Sequence, residues 1–242
     1  MSKVHVLCLM LVGGLITHSA MADDSKDDAG QWHGAGQLGF SMSSGNSDNE
    51  SLTAGLSLER ESEKWLNSFN LDVVRASSDG EDTAERYTFA TRNGYKLDED
   101  DYIYNNTRYD KDKFSGFDYT ITTSFGWGHQ FIDQEDYKFS SEIGVGYKIE
   151  ALDIDRTENT GAVIVGKLNY MRALTETMKL SEVFLVESGE DNTFMQNDLG
   201  VKFKVNSHFS VKLAHQYRYN TDVAPGKKSY DSLVSANLVY DF

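Results

Sequence analysis

Apolar and polar residues alternate along most of the chain beyond residue 30, and this two-residue period is the pattern of β-strands with two different faces. In residues 137–149, apolar side chains hold nearly every second position, while Lys, Ser, Glu and Gly fill most positions between them. Residues 230–242 repeat the pattern, interrupted by Leu233 and Val239. No stretch after the first 22 residues is long and apolar enough for a transmembrane helix. The pattern therefore predicts a chain built almost entirely of antiparallel strands.

Twelve such segments can be counted, and the connectors between them alternate between short polar turns and longer loops rich in Gly and Asp. An even number of strands is what a single-chain membrane barrel needs when both ends of the chain lie on one side. The segments 101–110 and 160–171 are the least regular, because both of their faces mix apolar and polar residues. The predicted strands are 31–43, 50–61, 64–76, 84–96, 101–110, 117–130, 136–150, 160–171, 177–187, 193–205, 208–220 and 229–242.

Alternation by itself fits two folds, whose apolar faces point in opposite directions. A membrane barrel turns its apolar face outward, whereas a soluble β-sandwich or a lipocalin-like barrel turns it inward. Segments of about 12 residues suit tilted membrane strands better than the five or six residues usual in soluble sheets. Aromatic residues near the segment ends are typical of interfacial girdles. These aromatic residues are Trp32, Trp65, Tyr102, Tyr137, Tyr170, Tyr230 and Tyr240.

The end of the chain favours the membrane fold. Phe242 is the last residue and follows Leu238 and Tyr240 at alternating spacing. A terminal aromatic strand of this kind is read by the machinery that inserts outer-membrane proteins, so we assign these three residues to outer-membrane sorting. We predict an all-β fold, a transmembrane antiparallel up-and-down β-barrel of about 12 strands, with the soluble sandwich as the alternative.

The first 22 residues have the features of a secretory signal peptide. Lys3 gives a positively charged start, and residues 6–16 form an apolar stretch too short to cross a membrane as a helix. Ala20 and Ala22 supply the small side chains of a cleavage site. We therefore predict a signal peptide at residues 1–22 and an outer-membrane β-barrel domain at residues 23–242.

Composition narrows the function. The formal net charge is −15, and removing Lys3 with the leader makes it −16, which argues against a nucleic-acid partner. The single proline of the chain fits an almost continuous set of strands, because proline cannot donate to a sheet ladder. Cys8, the only cysteine, lies in the leader, so the mature chain offers no thiol for a disulfide or a metal site.

Four short stretches resemble those of a known family. Trp32-x-Gly34-x-Gly36 precedes the stretch Ser44 to Asp48, which reads Ser-Gly-Asn-Ser-Asp. Further similarity lies in residues 114–118, which read Phe-Ser-Gly-Phe-Asp, and in Glu142-x-Gly144-x-Gly146-Tyr147. This arrangement resembles the YdiY-like salt-induced outer-membrane proteins, the domain of unknown function 481. The resemblance implies an outer-membrane barrel and a location in the bacterial outer membrane. It implies no catalytic residues, and only the name of the family suggests a response to salt.

Motifs that could carry other chemistry lack their structural context. Residues 34–39 match the dinucleotide fingerprint G-x-G-x-x-G, but they lie within a predicted strand and precede no helix. The acidic loop clusters, at 79–82, 153–155 and 187–191, do not have the ligand spacing of a calcium loop. We predict no cofactor and no metal site.

The chain contains no G-x-S-x-G motif, and we predict that it is not an enzyme. Four histidines fall in the mature chain. We expect His129 and His208 near the membrane–water boundary, whereas His33 and His215 are not assigned.

Charged residues of both signs fall on the face predicted to line the lumen. Rings of one sign select ions, whereas opposite charges can pair and close a narrow barrel. Barrels of about eight strands are filled by side chains and those of about sixteen hold an aqueous channel, so twelve strands leave both states open. The candidate lumen-lining residues are Asp72, Arg86, Arg92, Lys96, Asp198 and Lys202.

The sequence predicts an outer-membrane barrel that acts as a small passive pore or as a structural barrel of the envelope under salt stress. The alternatives are an enzyme that modifies lipid or lipopolysaccharide and a soluble periplasmic binding protein. The expected partners are outer-membrane lipids, lipopolysaccharide and the insertion machinery.

Overall fold

The computed structural model describes residues 30–43, 49–113, 117–152, 158–223 and 228–242. Within these residues the chain forms twelve antiparallel strands that close into one barrel. The strands are β1 (Trp32–Ser43), β2 (Asn49–Glu61), β3 (Trp65–Ser78), β4 (Glu81–Lys96), β5 (Asp101–Asp112), β6 (Phe117–Asp133), β7 (Tyr137–Leu152), β8 (Glu158–Thr175), β9 (Met178–Ser188), β10 (Thr193–Lys204), β11 (Phe209–Asn220) and β12 (Tyr230–Asp241). The predicted fold class is confirmed.

Each strand pairs with its neighbours in the sequence, and β1 also pairs with β12 to close the barrel. Five short turns, the start of β1 at Trp32 and the end of β12 at Asp241 lie at one end of the barrel, which we call the turn end. The opposite end, which we call the loop end, is where β1, β3, β5, β7, β9 and β11 end, at residues 43, 78, 112, 152, 188 and 220. Closure leaves no free sheet edge, as a membrane without water to satisfy backbone groups requires.

The β1–β12 ladder, which closes the barrel and which we call the closing seam, is shorter than the β1–β2 ladder beside it. β1 pairs with β2 along its whole length, from Trp32↔Arg60 to Ser43↔Asn49. It pairs with β12 only from Ala35↔Asp241 to Gly39↔Asn237. Backbone hydrogen bonds between Gly34 and Phe242 extend the seam at the turn end. The ladder that completes the barrel therefore depends on the last residues of the chain.

The two faces of the barrel differ as the alternation predicts. Apolar side chains such as Leu38, Val145 and Val234 lie on the outer face and are exposed. Buried polar and charged side chains such as Glu142 and Glu187 point into the lumen. In a bilayer the outer face would contact hydrocarbon, which explains why large apolar residues are exposed in this chain.

The irregular predicted strands have a structural explanation. β5 turns Tyr102 and Tyr104 into the lumen, and β8 does the same with Val163 and Val165. Their inner faces therefore carry apolar groups, and the sequence alternation weakens. Tyr102 is 6% exposed, so its assignment to an interfacial girdle is wrong.

Glycines in the lumen wall give these tyrosines their space. A Cβ atom at Gly128 would lie 2.2 Å from the Tyr102 ring, and one at Gly126 would lie 2.7 Å from the Tyr104 hydroxyl. The Tyr102 ring and the Tyr104 hydroxyl thus pack against wall positions that have no side chain. This packing accounts for the glycines that alternate with aromatic residues in β6.

Aromatic rings form a belt on the outer face at the turn end. Trp127 stacks on His129 with ring centres 5.8 Å apart, and His129 meets Phe131 edge-on at 4.6 Å. His208 stacks on Tyr240 at 6.0 Å. Rings with polar atoms suit the boundary between membrane and water. Both histidines therefore lie within the turn-end belt.

No helix in the described residues is long and apolar enough to cross a membrane. The predicted signal peptide, including Ala20 and Ala22, lies outside the described residues. The same is true of residues 44–48 and 114–116 of the family motifs, and of the acidic loop residues 153–155.

Candidate functional site

The lumen is crossed at its loop end by a group of charged residues, which we call the crossing cluster. Its members are Arg86, Arg108, Asp110, Asp112, Glu187 and Arg218. Arg218 of β11 lies 3.3 Å from Asp110 of β5, and these two strands stand opposite each other in the barrel. The ion pair therefore spans the full width of the lumen.

Further contacts tie the crossing cluster to other strands. Arg108 donates to Glu187 of β9 at 2.7 Å and to Asp110 on its own strand. Thr122 also donates to Glu187, at 3.1 Å. Arg86 of β4 donates across the lumen to Gln216 of β11. Buried charges are stable only when they are paired. Every charge of the cluster has an oppositely charged partner within 4.0 Å, and the paired side chains narrow the lumen.

An aromatic ring lies at the centre of the cluster. Phe194 of β10 is 4% exposed and points into the lumen. The guanidinium carbons of Arg108 and Arg218 lie 4.6 and 5.0 Å from its ring centre, and the Lys148 ammonium lies at 5.9 Å. Cations over an aromatic face are attracted by its negative charge density. The positive charges of Arg108, Arg218 and Lys148 thus all lie within 6 Å of the Phe194 ring centre.

A second group of contacts lies nearer the turn end. Arg92 of β4 forms an ion pair with Glu142 of β7, and Tyr102 donates to the same carboxylate at 3.0 Å. The Arg92 guanidinium also lies over the rings of Tyr102 and Tyr104, at 5.2 and 5.4 Å. These side chains fill the lumen along β4 to β7.

The opposite side of the lumen holds a cavity of about 500 Å³. Its wall is formed mainly by β1 to β4 and β9 to β12, and most of its lining side chains are polar or small. Asp198 accepts hydrogen bonds from Gln196 at 2.6 Å and from Gln216 at 2.7 Å. Asp72 accepts one from Gln37 at 3.4 Å. The volume lies within the range of small-molecule sites.

Leu233 and Val239, which interrupt the alternation of the last segment, also line this cavity. Both belong to β12 beside the closing seam. The interruptions in the sequence pattern therefore mark an apolar part of the cavity wall and do not end the strand.

The predicted lumen-lining residues do not form one group. Asp72, Arg86, Asp198 and Lys202 all line the cavity, and Gln216 links Arg86 to Asp198. Arg92 lies with Glu142 on the filled side, and Lys96 pairs with Glu61 at the turn end. The residues predicted to line the lumen do not include Arg108, Asp110, Glu187 and Arg218, which the structure places in the crossing cluster. Their inward phase within β5, β9 and β11 is the signal that could have found them.

Leu238, Tyr240 and Phe242 all lie on the outer face and are 54%, 44% and 58% exposed. Tyr240 and Phe242 stack with ring centres 6.0 Å apart. Their role in sorting stays a prediction.

We compared the contacts of His129 and His215 with those of a serine–histidine–acid triad. His129 Nδ1 lies 2.8 Å from Asp101, among the stacked rings of the turn-end belt. His215 Nε2 lies 2.9 Å from the Ser232 hydroxyl on the outer face, and no carboxylate in the described part of the chain bonds to His215. A serine nucleophile with a histidine base also needs a group that orients the histidine. Nor does that part of the chain hold three or more His, Cys, Asp or Glu side chains placed to bind a metal ion.

Comparisons with known proteins identify the family. The family described as "Protein of unknown function, DUF481" matches residues 36–242. The chain belongs to this family. It is also 25% identical over 223 residues to the uncharacterized protein YdiY of Escherichia coli (strain K12), a match that covers 88% of each chain. The predicted family membership is confirmed.

Solved structures share the fold. The NanC porin has a TM-score of 0.50 and 10% identity, with 87% of this chain and 98% of the porin covered. An outer membrane channel from Pseudomonas putida F1 also has a TM-score of 0.50, with 12% identity and coverage of 91% and 99%. The chain thus has the fold of outer-membrane barrels.

Proposed function

We propose that this protein is a narrow pore of the bacterial outer membrane for small polar solutes, and that it has no enzymatic step. The observation that carries the proposal is the polar cavity of about 500 Å³ beside the crossing cluster. A purely structural barrel would be expected to fill its lumen on both sides, as this chain does along β4 to β7.

The comparisons support a pore without identifying a solute. The NanC porin and the Pseudomonas putida channel share the fold at low sequence identity, which is support by likeness of architecture alone. The proposed location is the outer membrane, with lipids and lipopolysaccharide around the apolar face and the insertion machinery as a partner during assembly.

The crossing cluster sets the expected size of the pore. An ion pair that spans the lumen leaves water only beside it, so we expect a small single-channel conductance. Charged side chains at a constriction also make the conductance depend on the charge of the permeating ion.

Planar bilayers with the purified mature protein test the proposal. Discrete conductance steps in potassium chloride are expected. No conductance at any applied voltage, from protein that shows the heat-modifiable gel mobility of a folded barrel, would contradict the pore and favour the structural barrel.

A further inference from the structure

Four neighbouring strands, β8 to β11, each place a lysine in the lumen wall toward the turn end, and β10 carries a second one, Lys204, at its last position. We call the first four the lysine wall: Lys167 of β8, Lys179 of β9, Lys202 of β10 and Lys212 of β11. Lys202 and Lys212 line the cavity. Lys179 is in register with Lys202, and Lys167 with the buried Glu142. One side of the lumen is therefore basic in a chain whose net charge is −15.

The register brings like charges directly opposite each other. Lys179 is paired with Lys202 across β9 and β10, and Lys202 is paired with Lys212 across β10 and β11. Like charges at directly opposed positions destabilise a sheet. Three lysines in one row therefore cost folding stability unless something neutralises them.

Contacts within the protein neutralise one of the four. Lys202 forms an ion pair with Asp241 at 2.6 Å. Within the described ranges, the side-chain ammonium groups of Lys167, Lys179 and Lys212 have no hydrogen bond and no ion pair within 4.0 Å. Three ammonium groups on this wall thus have no direct acceptor among the residues that the structure describes.

Three acidic residues near the wall, Asp72, Asp198 and Glu142, accept hydrogen bonds from other donors. Asp72 and Asp198 share the cavity with Lys212, but glutamine amides bond to both carboxylates. Glu142, which lies in register with Lys167, accepts from Arg92 and Tyr102. Glu59 also lines the cavity. The negative charges are therefore close enough to act on the wall without pairing with it.

Small residues make room beside the wall. A Cβ atom at Gly200 would lie 2.9 Å from Cε of Lys212, so the missing side chain accommodates the lysine stem. Gly200 is flanked in register by Ser181 and Ala214. These three small residues line the cavity between Asp198 and Lys202.

We propose that the lysine wall is a binding site for small oxyanions, phosphates or carboxylates, inside the lumen. Lysine ammonium groups bind such anions as point charges, and an anion placed between Lys179, Lys202 and Lys212 would relieve their mutual repulsion. The role of this site in transport rests on the proposed pore function, whereas the binding itself does not.

Calorimetry and thermal unfolding of the folded mature barrel in detergent test the binding. The probes are inorganic phosphate for the phosphate class and citrate for the carboxylate class. The test variant is Lys179→Gln/Lys212→Gln. The control is Lys111→Gln/Lys113→Gln, which removes the same charge at the loop end, where the two lysines pair with Asp118 and Glu85.

At least one probe is expected to bind the wild type and the control and to raise their melting temperatures, because a ligand that binds the folded state stabilises it. We expect binding to the wall variant to be at least about tenfold weaker. Without a probe, the wall variant should melt no lower than the wild type, because the like-charge row is gone. Absence of binding of both probes to the wild type, or equal binding to the wall variant, would overturn the site.

Reversal potentials across a potassium chloride gradient separate this inference from the pore. The wild type and the control should favour chloride over potassium, and the wall variant should lose that preference. A silent barrel that binds an anion would contradict the pore alone. A conducting barrel that binds neither probe would contradict the lysine wall alone.

Discussion

The ring of Phe242 packs against Gly34, and the backbones of these two residues exchange hydrogen bonds. The Gly34 N–H donates to the Phe242 carbonyl at 2.7 Å, and the Phe242 N–H donates to the Gly34 carbonyl at 2.8 Å. A Cβ atom at residue 34 would lie 2.4 Å from the ring. The last residue of the chain therefore takes part in closing the barrel at the short seam between β1 and β12.

Substitution Gly34→Val should impair barrel closure, because a branched side chain would displace the Phe242 ring from the seam. The measurement is the fraction of protein with heat-modifiable gel mobility after refolding. Gly36→Val is the matched control, since a Cβ atom there meets nothing within 4 Å. Equal folding of the two variants would show that the Gly34–Phe242 contact is dispensable.

Deletion of Phe242 should reduce insertion into the outer membrane, because it removes the terminal aromatic residue and two hydrogen bonds of the seam. Cell fractionation measures the inserted share, and the variant Phe242→Tyr, which keeps an aromatic ring, should insert normally. The barrels that do assemble should conduct like the wild type. Normal insertion of the shortened chain would contradict the sorting role of Leu238, Tyr240 and Phe242.

Substitution Arg218→Gln should widen the lumen and destabilise the barrel. It removes the ion pairs that span from β11 to Asp110 and Asp112 on β5. Breaking a buried pair costs about 3 kcal/mol, so we expect the free energy of unfolding, measured by urea titration, to fall by about that amount. We expect a larger single-channel conductance in the same variant.

The control for this experiment is Arg75→Gln. Arg75 pairs with Asp82 at 4.0 Å, and both side chains are more than half exposed, so the cost should stay below about 1 kcal/mol. An unchanged conductance in Arg218→Gln would mean that the crossing cluster does not limit the flow of ions.

Substitution Gly128→Ala should displace Tyr102 from the lumen wall, because the new methyl group would overlap the tyrosine ring. Overpacking of this kind costs about 1–3 kcal/mol of unfolding free energy. Gly161→Ala at the loop end meets nothing within 4 Å and serves as the control. Equal unfolding free energies for both variants would show that the wall at Gly128 can move away from the ring.

The sequence by itself determined the fold. Alternation with a period of two is compatible with few folds. The ends of all twelve predicted strands lie within about four residues of the observed strand ends. Three features predicted that the apolar face points outward to a membrane: the strand length, the aromatic residues at strand ends and Phe242. These features are local, so they can be read along one chain.

Only the tertiary structure decided what lies inside the barrel. The pairs Arg218–Asp110 and Arg108–Glu187 join strands that stand apart in both sequence and ladder. The sequence shows that such residues point inward, but not which ones meet, because the curvature and stagger of the closed sheet set the distances across the lumen. The lysine wall was predictable in part. The inward phase of its lysines can be read from the sequence, whereas the row of directly opposed charges follows from the register of β9, β10 and β11.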